Sequence, residues 1–325
     1  MSSLAAYSSL LVAAVTVTYI VVAGTYRGSL AGVQSEKLPF QKECESICSA
    51  GSSRLRRIAI RVMKQGPIPQ HVAFIMDGNR RFARKNHVVT SGGHRAGFHK
   101  LTDVLEWCND LGIKHVSVFA FAINNFKRST DEVTALMALA RDKLRVLAEK
   151  SDLVKKHGLR IRVAGSKDML PEDVRESITF AEESTKNNTG MTLNVCFPYS
   201  ATDEISTAIR TLVEDVDSGK LMVADVSEKS LEERLHIPGP ELDILVRTSG
   251  EIRFSNYMLW QSSKMAYLKF VNAYWPEFSL WHMLSILVSW QLSHDLIKQR
   301  KAQRRDVSAG SAASVVVSDS DTCCS

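Results

Sequence analysis

Residues 71 to 85 read HVAFIMDGNRRFARK, and this stretch joins an apolar run to a polar and basic one. The run from His71 to Met76 has strand character, and short continuous apolar strands are typical of a sheet that is buried on both faces. It ends at Asp77, and Gly78 then lets the backbone approach a ligand closely. In parallel sheets ligands collect at the C-terminal ends of strands, where the next helix offers unpaired N–H groups to an anion. The stretch therefore predicts a diphosphate site at a strand end of an α/β fold.

Three arginines follow at the start of the predicted helix, namely Arg80, Arg81 and Arg84. Basic residues oppose the positive dipole end of a helix, so their density there calls for an anion. Guanidinium groups supply forked donors that suit phosphate oxygens. The alternative is a strand-to-helix turn with a solvated basic first turn and no ligand.

Outward from this stretch, strand-like runs alternate with segments of helical length. The further runs are HVSVFAFA (115–122), LRIRVAG (159–165), MTLNVCFPY (191–199), LDILVRTSG (242–250) and YLKFV (267–271). This alternation predicts an α/β fold with a mostly parallel central sheet of about six strands and helices on both faces. With 325 residues, of which 45% are hydrophobic, the chain can bury one sizeable core with extensions.

Polar segments directly follow two of the later runs. NNFKR follows the second run, and RTSGEIRFSN follows the fifth. Arg247 and Arg253 flank a Gly-containing turn and form a second predicted anion-binding group, separate from the one at Asp77. Two diphosphate sites predict two diphosphate substrates.

Overall charge and cysteine content narrow the function classes. The chain has 41 basic and 35 acidic residues and a formal net charge of +6, which is too mild and too scattered to indicate nucleic-acid binding. An anionic ligand or a membrane surface accounts for it. The six cysteines show no metal-ligand or disulfide spacing, which indicates a reducing compartment.

The N-terminal end has the composition of a membrane segment. Residues 4 to 23 contain no charge and are just long enough to cross a hydrocarbon core of about 30 Å. A cleaved signal would carry a positive start, but no Lys or Arg precedes Arg27, so residues 1–26 are predicted to be an uncleaved anchor. The basic residues that follow place the rest on the cytoplasmic side. An interfacial or processed segment is the alternative, because several Ser and Thr residues lower the hydrophobicity.

Three further segments complete the predicted organisation. Residues 27–66 form a linker and a basic amphipathic helix, whose apolar period runs through residues 53–64. That helix either lies on anionic lipid or packs on the domain. Residues 67–297 form the catalytic domain, and residues 298–325 form a basic, Ser-rich tail that is predicted to be disordered.

Several ordered motifs resemble those of the cis-prenyltransferases, the family of undecaprenyl and dehydrodolichyl diphosphate synthases. They span about residues 67 to 297 and are DGNRRFA (77–83), GGHRAG (92–97), FAFAINNFKR (119–128), NVCFPYSATDEI (194–205), RTSGEIRFSN (247–256), LWQ (259–261) and YWPEF (274–278). The forms DGNRR and RTSGE are most similar to the eukaryotic dehydrodolichyl diphosphate synthases.

The resemblance implies a condensation in which isopentenyl diphosphate attacks an allylic diphosphate such as farnesyl diphosphate. It implies that Asp77 holds Mg²⁺ on diphosphate oxygens and that Asp77 and Asn125 are catalytic. The product is expected to grow in an apolar tunnel lined by helices within 96–111 and 131–150. The implied substrate-binding residues are Gly78, Asn79, Arg80, Arg81, Phe82 and His94 for the allylic diphosphate, Phe126 and Arg128 beside the reacting carbons, and Arg247, Arg253 and Ser255 for isopentenyl diphosphate. Without the motifs, His94 is equally an ordinary helix N-terminal residue and Phe126 a core residue.

The chain departs from the family pattern at four places. Ala122 and Asn124 replace the usual Ser and Glu near the reacting centre, and Thr90 replaces an Arg of bacterial members. No acidic residue lies between Trp260 and Trp275, where bacterial members have a metal-binding Glu. Asp77 is therefore expected to be the only protein carboxylate on the metal.

The fourth departure concerns partners. Residues 271–325 contain no Arg-x-Gly triplet, the motif with which many homodimeric members complete the neighbouring site. The resemblance then implies a two-component enzyme with a Nogo-B-receptor-like subunit, with a homodimer as the alternative, on the cytoplasmic face of the endoplasmic reticulum membrane. A non-catalytic stabilising subunit is the rival function, but such subunits lose the Asp and Arg residues that this chain retains.

Overall fold

A computed structural model describes residues 56–237 and 239–313, with side chains described up to residue 303. The predicted membrane segment and most of the predicted linker lie outside the described residues. Within the described ranges, no helix has both the length and the apolar character that a membrane crossing requires.

The core of the fold is a six-stranded sheet in which every pairing is parallel. The strand order is β3-β4-β2-β1-β5-β6. The strands are β1 (His71–Ile75), β2 (His115–Phe119), β3 (Arg160–Ala164), β4 (Thr192–Cys196), β5 (Ile244–Arg247) and β6 (Tyr267–Phe270). Each lies inside one of the apolar runs, so the predicted parallel sheet is confirmed.

Helices connect the strands and cover the sheet. Helix α1 covers residues 56–63. The others are α2 (Asn79–Lys85), α3 (Thr90–Leu111), α4 (Thr130–Lys150), α5 (Asp152–His157), α6 (Glu172–Thr185), α7 (Ala201–Asp217), α8 (Glu228–Glu232), α9 (Leu259–Ser263) and α10 (Leu280–Ala313).

The alternation of side chains along β1 shows that both faces of the sheet are covered. Val72 and Phe74 belong to the larger core, which includes apolar residues of α3, α4, α6 and α10. Ala73 and Ile75 point the other way and pack in a smaller core with the start of α7 and the segment around Tyr257. Successive residues of a strand face opposite sides, so a strand buried on both faces must be apolar throughout.

A chain of polar groups crosses the middle of the sheet. The His71 Nδ1 lies 3.1 Å from the carbonyl of Pro240, which can only accept, so Nε2 must accept from the Ser117 hydroxyl at 2.7 Å. Asn194 in turn donates to Ser117 at 3.0 Å. Burial lowers the pKa of His71 to about 4, although the hydrogen bond to Pro240 favours the charged form. These bonds link the buried side chains of His71, Ser117 and Asn194 across three adjacent strands.

Helix α1 packs on the domain. Ala59, Ile60 and Met63 are buried in the larger core. Arg56 pairs with Asp110 of α3 at 2.7 Å. Of the two arrangements predicted for the basic amphipathic helix, the described residues adopt packing against the domain.

Helix α10 continues past residue 297, where the sequence predicts a disordered tail. That prediction is wrong for residues 298–313, which are helical. Residues 298–305 are good helix formers, and Lys301 also pairs with Glu241 at 3.1 Å and lies 3.7 Å from Asp243. Residues 314–325 lie outside the described ranges.

Candidate active site

The C-terminal ends of β1, β2 and β5 open into one cavity of about 650 Å³. Its volume falls within the range of about 300–1,000 Å³ that is usual for small-molecule sites. Its charged lining consists of two carboxylates, Asp77 and Glu251, and six arginines, Arg80, Arg81, Arg84, Arg128, Arg247 and Arg253. The uncharged lining includes Gly78, Asn79, His94, Asn125 and Ser255. Such an excess of guanidinium groups favours a polyanionic ligand.

Asp77 lies at the end of β1 with both of its carboxylate oxygens engaged. Oδ1 accepts from the Gly78 N–H at 2.7 Å. Oδ2 lies 3.0 Å from Arg247 Nη2 and 3.2 Å from Arg81 Nη2. Burial works against ionisation of this carboxyl, but the hydrogen bond and charge of Arg247, together with Arg81 and the Gly78 N–H, keep its pKa below the usual value. Asp77 is therefore held as an anion in the centre of a cationic cavity.

Two glycines bring the backbone and helix α3 close to this centre. Gly78 has a φ of 105°, and a Cβ there would lie 2.9 Å from the Tyr274 ring. A Cβ on Gly97 of α3 would lie 2.3 Å from Asn79 Oδ1. Larger residues at either position would displace Asn79 or Tyr274, so this close packing requires glycine at both positions.

Arg247 connects the two predicted anion-binding groups. Its side chain is 3% exposed, and besides Asp77 it donates through Nη1 to the Ser255 hydroxyl at 2.7 Å and to the carbonyl of Arg253. The structure thus brings both groups, which are separate in the sequence, into the lining of the same cavity. They come together because β1 and β5 are adjacent in the sheet, with Ile75 paired to Arg247.

Glu132 of α4 lies within 4 Å of three of the predicted substrate-binding side chains. Its Oε1 lies 2.9 Å from Arg128 and 3.9 Å from His94 Nε2, and its Oε2 lies 3.9 Å from Arg80. His94 Nε2 is buried and has no hydrogen-bond partner among the described residues. Burial and the positive charges of Arg128 and Arg80 lower the pKa of His94, although Glu132 acts against this. His94 is thus a neutral imidazole with one nitrogen free to meet a ligand.

Of the remaining predicted site residues, some line the cavity and others do not. Asn125 lines the cavity, and its Oδ1 accepts from the Ala122 N–H at 3.0 Å, while its amide hydrogens have no hydrogen-bond partner among the described residues. Phe82 and Phe126 are not among the residues that line the cavity. Phe126 instead packs edge-on against Phe121, with ring centroids 5.0 Å apart, and the phenylalanines that line the cavity are Phe119 and Phe121.

Glu251 was missed as a site residue by sequence reasoning. Its Oε1 lies 3.0 Å from Arg81, and its Oε2 contacts Arg253. It therefore joins an arginine of the first group to one of the second. The signal was present, because Glu251 follows Gly250 in the same polar segment as Arg247 and Arg253.

An apolar cavity of about 130 Å³ adjoins the polar one and shares Met76, Asn79, His94, Ala120 and Leu136 with it. Most of its other lining comes from α3 and α4, including Phe98, Leu101, Leu139, Leu144 and Leu147. A polar, cationic chamber therefore opens beside an apolar one, an arrangement that suits an amphiphile with an anionic head.

Comparison with known proteins identifies the family. The Prenyltransf family, that of undecaprenyl diphosphate synthases, matches residues 75–297. The chain belongs to this family. It is thus a prenyltransferase, and the two chambers are its candidate active site.

Relatives from two domains of life agree with this assignment. The chain is 44% identical to a dehydrodolichyl diphosphate synthase complex subunit of Homo sapiens over 75% of its length and 74% of the human protein. It is 43% identical to the corresponding complex subunit of Schizosaccharomyces pombe, over 74% of its length and 92% of the yeast protein. It is also 43% identical to a geranylgeranyl-diphosphate-specific tritrans,polycis-undecaprenyl-diphosphate synthase of Thermococcus kodakarensis, over 70% of its length and 86% of that protein.

Solved structures show the same fold. Lavandulyl diphosphate synthase from Lavandula x intermedia, crystallised with dimethylallyl diphosphate, superposes with a TM-score of 0.65 and 31% identity, covering 69% of this chain and 95% of that one. A probable undecaprenyl diphosphate synthase from Campylobacter jejuni gives a TM-score of 0.57 and 29% identity, covering 69% and 96%.

The donor set of this prenyltransferase fits a magnesium ion that arrives with its substrate. No group of three His, Cys, Asp or Glu side chains that could enclose a metal occurs among the described residues. Mg²⁺ is usually held by one or two carboxylates together with substrate phosphates and water, so it does not need such a group. Asp77 is ionised and lies in the cavity, which meets that requirement.

Proposed function

We propose that this chain is a catalytic subunit that condenses isopentenyl diphosphate repeatedly onto farnesyl diphosphate. The product is a long-chain polyprenyl diphosphate of the dehydrodolichyl type, used for dolichol and protein glycosylation. The observation that carries the proposal is the pairing of a cavity with six arginines and an adjoining apolar cavity at the ends of β1, β2 and β5. The relatives named as dehydrodolichyl diphosphate synthase subunits support the identity of the product.

Each of the two substrates is proposed to bind to its own group of side chains. Arg80, Arg128 and His94 form one wall of the cavity and are proposed to hold the allylic diphosphate. Arg247, Arg253 and Ser255 form a second wall and are proposed to hold isopentenyl diphosphate. Charge-assisted hydrogen bonds from these groups contribute about 1.5–3 kcal/mol each, and they orient the two reactants toward each other.

Asp77 lies between these walls and is the proposed Mg²⁺ ligand. When bound, the ion neutralises charge on the leaving diphosphate and so helps the allylic C–O bond to break. Within the protein, Arg247 and Arg81 keep Asp77 ionised and fix its position. The free amide hydrogens of Asn125 are proposed to bind a substrate oxygen beside the reacting carbons.

The apolar cavity is proposed to hold the growing polyprenyl chain. At about 130 Å³ it is smaller than the roughly 300 Å³ at the lower end of ordinary ligand pockets. A long product therefore requires α3 and α4 to move apart or the chain to leave between them. The predicted product tunnel is therefore proposed to lie between α3 and α4.

The cellular setting is proposed from the sequence and the relatives together. Residues 1–26 are proposed to anchor the chain in the endoplasmic reticulum membrane, with the domain of residues 67–297 facing the cytosol. A Nogo-B-receptor-like subunit is the proposed partner. The description of the human and yeast relatives as complex subunits supports a hetero-oligomer.

Incubation of the purified chain with farnesyl diphosphate, labelled isopentenyl diphosphate and Mg²⁺ tests the proposal. We expect labelled, chain-elongated products, in larger yield when a candidate partner subunit is added. Product length is read by chromatography after removal of the diphosphate. Absence of elongation with and without the partner would favour the rival function of a non-catalytic stabilising subunit.

A further inference from the structure

The loop that follows β5 has a backbone that its sequence does not favour. It carries Glu251, Arg253 and Ser255 into the cavity. Non-glycine residues rarely adopt positive φ angles, and among them asparagine does so most readily. Four residues of the loop have such angles: Ser249 (77°), Ser255 (50°), Asn256 (60°) and Met258 (44°). The surrounding structure must therefore hold this loop in place.

Asn256 makes four of the hydrogen bonds that hold it. Its Oδ1 accepts from both the N–H and the hydroxyl of Thr202, at 3.1 and 3.0 Å. Its Nδ2 donates to the Ser200 hydroxyl at 2.7 Å, and its carbonyl accepts from the Ala201 N–H at 2.8 Å. All three partners lie at the start of α7.

These bonds replace an ordinary helix cap. The first N–H groups of a helix have no partner within the helix, and a side chain at the N-cap usually satisfies one of them. Ser200 is the N-cap of α7, and its side chain makes no such bond. Asn256 satisfies the N–H groups of Ala201 and Thr202 instead, from a separate segment of the chain.

The loop is thereby fixed by two neighbouring sets of contacts. Asn256 binds the start of α7, and Arg247 donates to the carbonyl of Arg253 and the hydroxyl of Ser255. Ser255 is thus bonded to Arg247 and directly precedes Asn256 in the chain. Its position and that of Arg253 depend on both.

We infer that Asn256 is a positioning residue for the isopentenyl diphosphate end of the cavity. By capping α7 it holds Ser255 and Arg253 in the geometry that the substrate needs before it binds. This inference rests on the proposed function, because it takes these two residues as ligands of that diphosphate. A pre-positioned site binds more tightly, since less ordering remains to be done on binding.

Three substitutions separate the cap from the backbone angle. Asn256→Ala removes the side-chain bonds of the cap, leaves the backbone bond to Ala201, and disfavours the positive φ. Asn256→Gly removes the cap but tolerates the angle, whereas Asn256→Asp keeps an oxygen acceptor at a helix N-terminus, where negative charge is favourable. The matched control is Asn188→Ala, which removes a side-chain bond of 2.8 Å to the Leu159 carbonyl outside the cavity.

The assay is steady-state kinetics of the full-length chain with its partner. For Asn256→Ala and Asn256→Gly we expect the KM for isopentenyl diphosphate to rise about tenfold. The KM for farnesyl diphosphate should change by less than about twofold, and Asn256→Asp and the control should behave like the wild type. A wild-type KM in Asn256→Gly would show that only the backbone angle matters, and equal changes for both substrates would show a general loss of structure. Either result would overturn the inference.

Hydrogen exchange gives a readout that does not depend on activity. Without substrate, the amides of residues 249–258 should exchange about tenfold faster in Asn256→Ala than in the wild type, and no faster in the control. Unchanged exchange in the loop would also overturn the inference. A wild-type chain that fails to elongate would count against the proposed function alone, and the exchange result would still decide the role of Asn256.

Discussion

Replacing Asp77 by Asn removes the charge at the centre of the cavity and keeps the shape of the side chain. The amide oxygen can still accept from the Gly78 N–H, but an NH₂ group then faces the guanidinium groups that bind Oδ2. Arg247 is 3% exposed and loses its carboxylate partner. The substitution therefore affects both stability and catalysis, and the two effects have different sizes.

The stability effect follows from burial. Breaking a fully buried ion pair costs about 3–5 kcal/mol, but the Asp77 side chain is 30% exposed, so solvent reduces this to about 2 kcal/mol. In a domain of this size that corresponds to a fall in Tm of about 4–8 °C. The catalytic effect is larger, because charge stabilisation by a metal contributes several kcal/mol and each 1.36 kcal/mol is about tenfold in rate. We expect kcat to fall at least about 100-fold at temperatures where the variant is folded.

Asp215→Asn is the matched control for this experiment. Asp215 also pairs with an arginine, Arg234, at 2.7 Å, and both side chains are 19% exposed, but the pair does not line the cavity. Its loss should lower Tm by a similar amount and leave kcat unchanged. Thermal unfolding and elongation kinetics of both variants provide the comparison. Turnover of Asp77→Asn within about threefold of the wild type would refute the metal-ligand role.

Three further predictions test other parts of the structure. Arg253→Ala should raise the KM for isopentenyl diphosphate at least about tenfold and that for farnesyl diphosphate much less, with the α7 variant Arg210→Ala as control; equal rises would contradict two binding walls. Gly97→Ala places a Cβ 2.3 Å from an asparagine oxygen and should lower both Tm and activity, whereas Gly92→Ala, with its nearest atom at 3.6 Å, should not. His71 has a pKa of about 4 in the folded chain, against the ordinary value of 6.5 for the unfolded chain. As the pH falls from 6.5 to 4, the unfolded chain therefore takes up a proton that the folded chain does not, and this should lower the free energy of unfolding by about 3 kcal/mol. Urea unfolding of His71→Asn should show a flatter pH dependence than the wild type, and an identical slope would refute this.

The sheet could be predicted from the sequence because its strands are buried on both faces. Such strands must be apolar throughout, and they stand out between helical segments of different period. The same reasoning predicted that polar residues after the strands gather at one edge. It did not predict that Arg247 contacts Asp77, because strand order cannot be read from the order of the strands along the chain. That contact depends on β1 and β5 being neighbours.

Other features depended on contacts that are distant in sequence. Glu132 has no distinctive local pattern, and it becomes a site residue only through the arginines that surround it. Phe126 belongs to a motif of the family, but it packs against Phe121 and does not line the cavity. The helical residues after 297 have a polar composition that favours disorder in isolation. Pairing with acidic residues before β5 changes that balance.

The central claim is that one cavity binds two diphosphates at the same time. Titration calorimetry of isopentenyl diphosphate into the chain with its partner, already saturated with Mg²⁺ and the unreactive analogue farnesyl thiolodiphosphate, tests it most directly. We expect that one further isopentenyl diphosphate binds per chain and that Arg253→Ala weakens this binding without releasing the analogue. If the two ligands excluded each other, both walls of the cavity would serve a single diphosphate, and the proposed binding of two substrates at once would be wrong.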